Sequence, residues 1–228
     1  MLFIAEIGLN HNGNFGLLNE LIRQAKLSGA DLVKFQLGWR GNKGEINYID
    51  DKTLRLILKI SDYYSIEPMF SIFTDEALVM AKKYNFKKYK IASRTLIDNF
   101  ALAKRIIAEN KETFVSLGFW KKKNLPFKKN KKIKYLWCKS NYPTFPWELK
   151  DFPKTFESSS IVGISDHTVG IELSFIAISR GAQIIEKHFT LDKSDTTIRD
   201  HALSLTPKEF KFLVDNGRAM SKMLNYIK

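Results

Sequence analysis

The chain has 228 residues, 44% of them hydrophobic, and its 37 lysines and arginines outnumber 24 aspartates and glutamates for a net charge of +13. A chain of this size buries one substantial core, and one domain over residues 1–228 is expected. No run approaches the roughly 18 apolar residues that span a bilayer, and a single cysteine, Cys138, excludes an internal disulfide and reads as a small buried residue of a reducing compartment.

In chain order, LFIAEIG (2–8) reads as a strand that starts at once, with no basic leader or cleavage site, which leads us to expect a cytoplasmic protein with no membrane contact. FGLLNELIRQAKLSGA (15–30) repeats apolar residues every three or four positions, the mark of an amphipathic helix. DLVKFQ (31–36) is a second strand, followed by LGWRGNKGEINYID (37–50), long enough to fold across an adjoining pocket. The alternation continues through DKTLRLILKISDYY (51–64), IEPMFSIF (66–73), DEALVMAKKYN (75–85), KYKIAS (88–93), IDNFALAKRIIAEN (97–110) and TFVSLG (113–118). Then come IKYLWC (133–138), IVGIS (161–165), IELSFIAISRGA (171–182) and QIIEKHF (183–189). TPKEFKFLVDNGRAMSKMLNYIK (206–228) closes the chain as a helix with Thr206 as N-cap, Pro207 first and Glu209 third.

Most strand runs are nearly continuous in apolar residues, as parallel strands covered on both faces must be. Eight such runs with helices between them imply a (β/α)8 TIM barrel, a fold of about 250 residues. An open doubly wound sheet is the alternative, but no G-x-G-x-x-G follows the first strand. One crossover is irregular. WKKKNLPFKKNKKIK (120–134) holds eight lysines, keeps no helical period and is too short for a helix with two loops, so the fifth helix is expected to be short or missing. The lysines read as a solvated connection or as a patch for an acidic partner; nucleic-acid recognition would add arginines and exposed aromatics, and none is expected here.

In this barrel, chemistry sits where the strands end at their C-terminal tips. Those tips carry Glu6, Asn10, His11, Lys34, Gln36, Ser71, Lys90, Ser93, Ser116, Ser140, Tyr142, Asp166, His167, Glu186 and His188. Lysines among serines suit a phosphate or carboxylate, since a buried ammonium needs an anion. Two imidazoles on neighbouring strands suit a divalent metal.

The motifs AEIGLNHNGN, VKFQ, KIAS, NYPT, GISDHTVGI and EKHFTLDK…DHALSLTPKEF, in this order, resemble the N-acylneuraminate (sialic acid) synthase family along essentially the whole chain. The resemblance implies a barrel that condenses phosphoenolpyruvate with an N-acylated amino-sugar aldehyde and releases phosphate by C–O cleavage. It also implies a divalent metal, Mn2+ or Mg2+, on His167 and His188. By the same resemblance Lys34, Ser71, Lys90, Ser93 and Ser116 bind phosphoenolpyruvate. Gln36, Ser140, Tyr142, Glu186 and Asp200 face the sugar, and Glu186, His167, His188 and Lys90 carry the catalysis.

Departures from the family pattern are specific. SRT stands where SGE is common, placing Arg94 beside the anion site, and SLGF replaces STGM at Leu117. No antifreeze-like domain follows the barrel in this sequence, so a homodimer is expected whose mouth is covered by its own loops or by a separate cap-domain protein. Two other functions compete with the synthase. A Schiff-base aldolase would act through Lys34, Lys90 or Lys187, and a non-catalytic barrel relative would use the basic loop to bind a partner.

Overall fold

The structure is a computed structural model that describes residues 1–128, 130–157 and 159–227. Among them, eight parallel strands close into a barrel in sequence order: β1 (Leu2–Gly8), β2 (Leu32–Leu37), β3 (Glu67–Ile72), β4 (Lys88–Ile91), β5 (Glu112–Ser116), β6 (Ile133–Cys138), β7 (Ile161–Asp166) and β8 (Ile184–His188). Every predicted strand forms, with ends shifted by at most two residues. The helices are α1 (Leu18–Leu27), α2 (Asp51–Tyr63), α3 (Asp75–Lys83), α4 (Ser93–Asp98), α5 (Phe100–Ala108), α6 (Glu172–Ser179) and α7 (Pro207–Tyr226). No helix is long and apolar enough to cross a membrane among these residues.

Local chemistry sets the helix starts. Asp50, Thr74 and Asn99 accept the backbone N–H of Thr53, Ala77 and Leu102 at 2.7, 3.1 and 3.0 Å. Thr206 and Glu209 form the expected capping box on α7. The segment predicted as one helix from 97 to 110 is two: Asn99, at φ −141°, leaves α4 and caps α5.

The fifth helix is absent among the described residues. Between β5 and β6 the chain runs without one, and its apolar side chains cover the outer wall instead, with Trp120 and Phe127 stacked on Phe100 of α5 at 5.9 and 5.5 Å. The lysines of this stretch that the structure describes at 121–123, 128, 131 and 132 point to solvent, as a solvated connection requires; Lys129 lies outside the described residues.

Side chains of a strand alternate between faces, and this alternation builds the barrel's interior in tiers. Ile4, Leu32, Met69, Phe114, Leu136 and Ile184 meet inside as an apolar floor, separate from the larger core between strands and helices. Two residues further along the same strands stand Glu6, Lys34, Ser71, Ser116, Cys138 and Glu186. The change from apolar to polar after one step of two residues converts a filled barrel into one with a reactive top.

The barrel closes tightly where β7 meets β8. A Cβ on Gly163 would lie 2.1 Å from the Ile184 carbonyl oxygen, so only glycine fits. Gly163→Ala is expected to lower the unfolding free energy by about 1–3 kcal/mol, as overpacking does. Urea denaturation checks this; an unchanged midpoint would show that the two strands part easily.

Candidate active site

At the C-terminal ends of the strands lies a cavity of about 510 Å³ that gathers all twelve predicted site residues: Gln36, Lys34, Ser71, Lys90, Ser93, Ser116, Ser140, Tyr142, His167, Glu186, His188 and Asp200. Its base is a charge cluster. Lys34 Nζ lies 2.7 Å from Glu6 Oε2 and 3.6 Å from Glu186 Oε1, while Lys90 Nζ donates to Glu186 Oε2 at 2.5 Å. All four side chains are buried. The lysines, predicted to face an anion, thus face the chain's own carboxylates. Ser71 accepts from Lys34 at 3.1 Å and Ser165 donates to Glu186 at 2.7 Å.

The cluster fixes protonation. Burial opposes the charge on Glu186, but Lys34 and Lys90 outweigh it and hold its carboxyl down to about 2. Glu6, with Lys34 as its close cation and Glu186 as a neighbour, is pushed above the usual carboxylate range by burial. Burial also lowers Lys90, whereas Glu186 and Glu6 overcome it at Lys34 and raise that amine.

Hydroxyls line one side. Ser93 accepts the backbone N–H of Gly118 at 3.0 Å, and the buried Ser116 hydroxyl has no hydrogen-bond partner. A Cβ on Gly118 would sit 2.1 Å from Ser140 Oγ, so glycine is what lets these groups converge. Cys138 is buried, as expected, yet lines this cavity 3.7 Å from Ser140 Oγ.

Adjoining them, with His167 Nδ1 also 3.7 Å from Cys138 Sγ, His167 and His188 stand with ring centroids 5.5 Å apart, and Tyr142 stacks on His167 at 4.2 Å. His167 Nδ1 donates to the Lys139 carbonyl at 2.8 Å, which leaves Nε2 available. Burial, with His167 nearby, keeps His188 neutral well below its ordinary range, and its Nδ1 has no hydrogen-bond partner. Asp200 Oδ1 likewise makes no hydrogen bond, and Arg199 Nε lies 3.5 Å from it. Among the described residues no group of three histidine, cysteine, aspartate or glutamate side chains is placed to hold a metal. His167 and His188 would supply only two ligands, so a divalent ion bound here would have to take the rest from water or substrate.

Several expectations are corrected. Asp166 faces away from the cavity, fully buried, accepting from Thr168 and Ser174 and paired with Lys187 at 3.3 Å. Lys187 points outward with it and cannot act on a substrate in the cavity. Of residues 37–50 only Trp39 lines the cavity; Asn47 holds the segment down through the Gln36 and Trp39 carbonyls at 2.7 and 2.8 Å. Asn10 and His11 do not reach the cavity. With Asn12 they stitch loops: Asn10 to the Phe189 carbonyl and Ser204 at 2.9 Å each, His11 to Asn47 at 3.0 Å, and Asn12 to His201 at 2.7 Å. Sequence reasoning gave no role to Ser165, Arg199 or Phe119, which also line the cavity. Ser165 was within reach, because it stands two residues before His167 and must share its face.

The sequence pattern of the NeuB family matches residues 45–228. The chain belongs to the NeuB family. It is 32% identical over 260 residues to the N,N'-diacetyllegionaminic acid synthase of Campylobacter jejuni, covering 98% of this chain and 77% of that protein. It is 29% identical over 245 residues to the N-acetylneuraminate-9-phosphate synthase of Drosophila melanogaster, with 92% and 65% covered. Its fold superposes on the N-acetylneuraminic acid synthetase of Leptospira borgpetersenii, crystallised with citrate, at a TM-score of 0.82, with 28% identity over 98% of this chain and 84% of that one. These relatives are synthases of sialic-acid-type sugars.

His11 supplies a pH test of the loop stitching. Burial lowers its pKa to about 4, against 6.5 in an unfolded chain. The unfolded state then binds the extra proton between these values, so stability from neutral His11 is full above pH 6.5 and is lost as pH falls toward 4. The span is worth about 3 kcal/mol. His11→Gln is expected to flatten the stability–pH slope in this window; a slope equal to wild type would show that His11 protonates freely in the folded protein.

Proposed function

We propose that this chain is a nonulosonic acid synthase that condenses phosphoenolpyruvate with an N-acylated amino-sugar aldehyde. In the reaction C3 of phosphoenolpyruvate bonds to the aldehyde carbon, the aldehyde oxygen takes a proton, water adds at C2, and phosphate leaves with the C2–O bond. The observation that carries the reading is the meeting, in one cavity, of two buried lysines and a row of serine hydroxyls, that of Ser116 unpaired, with two imidazoles. Membership of the NeuB family and its synthase relatives support it.

The residues divide the work. Lys34 and Lys90 take the anionic groups of phosphoenolpyruvate, exchanging carboxylate partners for substrate, and Ser71, Ser93 and Ser116 donate to the same groups. Once its lysines are so engaged, Glu186 is a buried carboxylate with less cationic support and accepts a proton from water or a sugar hydroxyl. Gln36, Ser140, Tyr142 and Asp200 orient the sugar. His167 and His188 hold a divalent ion, Mn2+ or Mg2+, which when bound supplies Lewis-acid polarisation of the aldehyde. The reading includes a homodimer with a protein surface over the mouth. Phe145 and Trp147 support this, being parallel rings 4.7 Å apart that stand 44% and 69% exposed at the rim.

A Schiff-base aldolase gains no support from Lys187, and Lys34 is held charged by Glu6 and Glu186; Lys90, whose amine burial lowers, is the lysine left to it, paired with Glu186 at 2.5 Å. Phosphate release from phosphoenolpyruvate with a panel of N-acylated amino sugars and Mn2+ tests the function; no release with any of them would leave a binding protein. Lys34→Met and Lys90→Met are each expected to raise the KM for phosphoenolpyruvate by about 10- to 100-fold, the size of a charge-assisted contact, and the KM for sugar far less. Equal effects on both constants would point to a different pocket. His167→Ala with His188→Ala should abolish metal-dependent turnover yet leave phosphoenolpyruvate binding measurable by calorimetry. Wild-type turnover of that double variant in EDTA would remove the metal from the account.

A further inference from the structure

Arg94 follows Ser93 directly and lines the cavity at its rim. Its guanidinium lies 5.9 Å from the Trp39 ring centroid and 5.5 Å from that of Phe119, rings delivered by the ends of β2 and β5. Aromatic faces hold an arginine by its charge and its planar faces without using its N–H groups. Its acid partner among the described residues is Asp98, 3.5 Å away, and both side chains are more than half exposed, at 53% and 57%. Such a pair contributes little. The other cations deep in the cavity differ, since Lys34 and Lys90 are matched by buried carboxylates. Arg94 is therefore pre-positioned and nearly unspent.

A second observation lies in the same cavity. The hydroxyl of Ser116, 3% exposed, has no hydrogen-bond partner and lines the same cavity as Ser93. A buried unpaired donor is costly unless a ligand meets it. A guanidinium held over two rings with its N–H groups unspent, in a cavity that also holds an unpartnered buried hydroxyl, offers planar, bidentate and charge-assisted donors for a phosphomonoester.

We propose that Arg94 binds a phosphomonoester at the cavity rim, a binding role that refines the synthase reading and rests on it. The ester has two possible sources in the reaction, phosphoenolpyruvate itself or an acceptor sugar phosphorylated at its far end. If the acceptor is the source, the enzyme prefers a phosphorylated amino sugar and yields a phosphorylated product. If phosphoenolpyruvate is the source, Arg94 closes over its phosphate from the solvent side.

The test combines binding and kinetics on the full chain. Calorimetry with phosphoenolpyruvate, inorganic phosphate and pyruvate compares wild type, Arg94→Ala and Arg94→Lys, and steady-state kinetics compare each amino sugar with its phosphomonoester. Phosphoenolpyruvate as the source predicts that Arg94→Ala weakens phosphoenolpyruvate and phosphate binding by about 10- to 100-fold and leaves pyruvate unchanged. Arg94→Lys should then be intermediate, because it keeps the charge and loses the fork. The acceptor as the source predicts that the KM for the phosphorylated sugar rises by the same factor and the KM for the plain sugar does not. Less than a twofold change in every one of these constants overturns the proposal. So does an equal loss for pyruvate, which would mark a carboxylate site. Calorimetry needs no turnover, so an inactive protein that still loses phosphate binding in Arg94→Ala would sink the synthase reading and retain the site. Arg94 is exposed, and thermal melting confirms that each variant folds.

Discussion

Two lysines and two glutamates share the upper interior of a closed barrel, and each depends on the others to be there. Removing one ion from water costs several kcal/mol even after relaxation, so an isolated Lys90 or Glu186 in that position would give up its charge. Together they make a neutral cluster in which Glu186 touches both ammonium groups. Such a cluster is poor evidence for stability, because apolar residues of similar volume often fold as well or better. It keeps two cations charged inside a low-dielectric cavity, at the one end of the barrel that opens to solvent. An anionic substrate can then enter by exchanging partners with the carboxylates, and the displaced Glu186, now short of cations, is driven to take up a proton.

The rest of the architecture serves that arrangement. The apolar floor below the cluster excludes water from one side, and it exists because the same strands change from Ile4, Leu32 and Ile184 to Glu6, Lys34 and Glu186 in one step of alternation. The loops above are fixed from outside the cavity. Asn12, His201 and Asp195 tie the end of β1 to the segment after β8, which carries Asp200 to the rim. The missing helix between β5 and β6 leaves this plan intact, because stacked rings from Trp120 and Phe127 cover the wall that a helix would cover.

Most of the fold was legible in the sequence because parallel strands are long apolar runs and the helices carry their own caps. Much of the cavity lining was legible for the same reason, since polar side chains that end such runs on the inward face converge there. What misled was parity. Asp166-His167 and Glu186-Lys187-His188 look alike as an acid beside a histidine, but neighbours on a strand face opposite ways and residues two apart face together. Hence Glu186 joins His188 inside, while Asp166 turns outward to Lys187 and ties the strands to α6 through Ser174. The partners of Lys34 and Lys90 were not legible either, because Glu6, Lys34, Lys90 and Glu186 stand on four different strands and meet only through barrel closure. The break in the 97–110 helix turns on one Asn99 side chain acting as a cap, a choice that propensity alone does not make.

The central claim is that the lysine–glutamate cluster is the anion site. A crystal structure of the protein with phosphoenolpyruvate and no acceptor tests it most directly. The account predicts the anionic groups of phosphoenolpyruvate within hydrogen-bond distance of the Lys34 and Lys90 ammonium groups, with the Glu186 carboxylate parted from Lys90. Phosphoenolpyruvate bound elsewhere on the chain, with all four charges still paired as they are here, would contradict it.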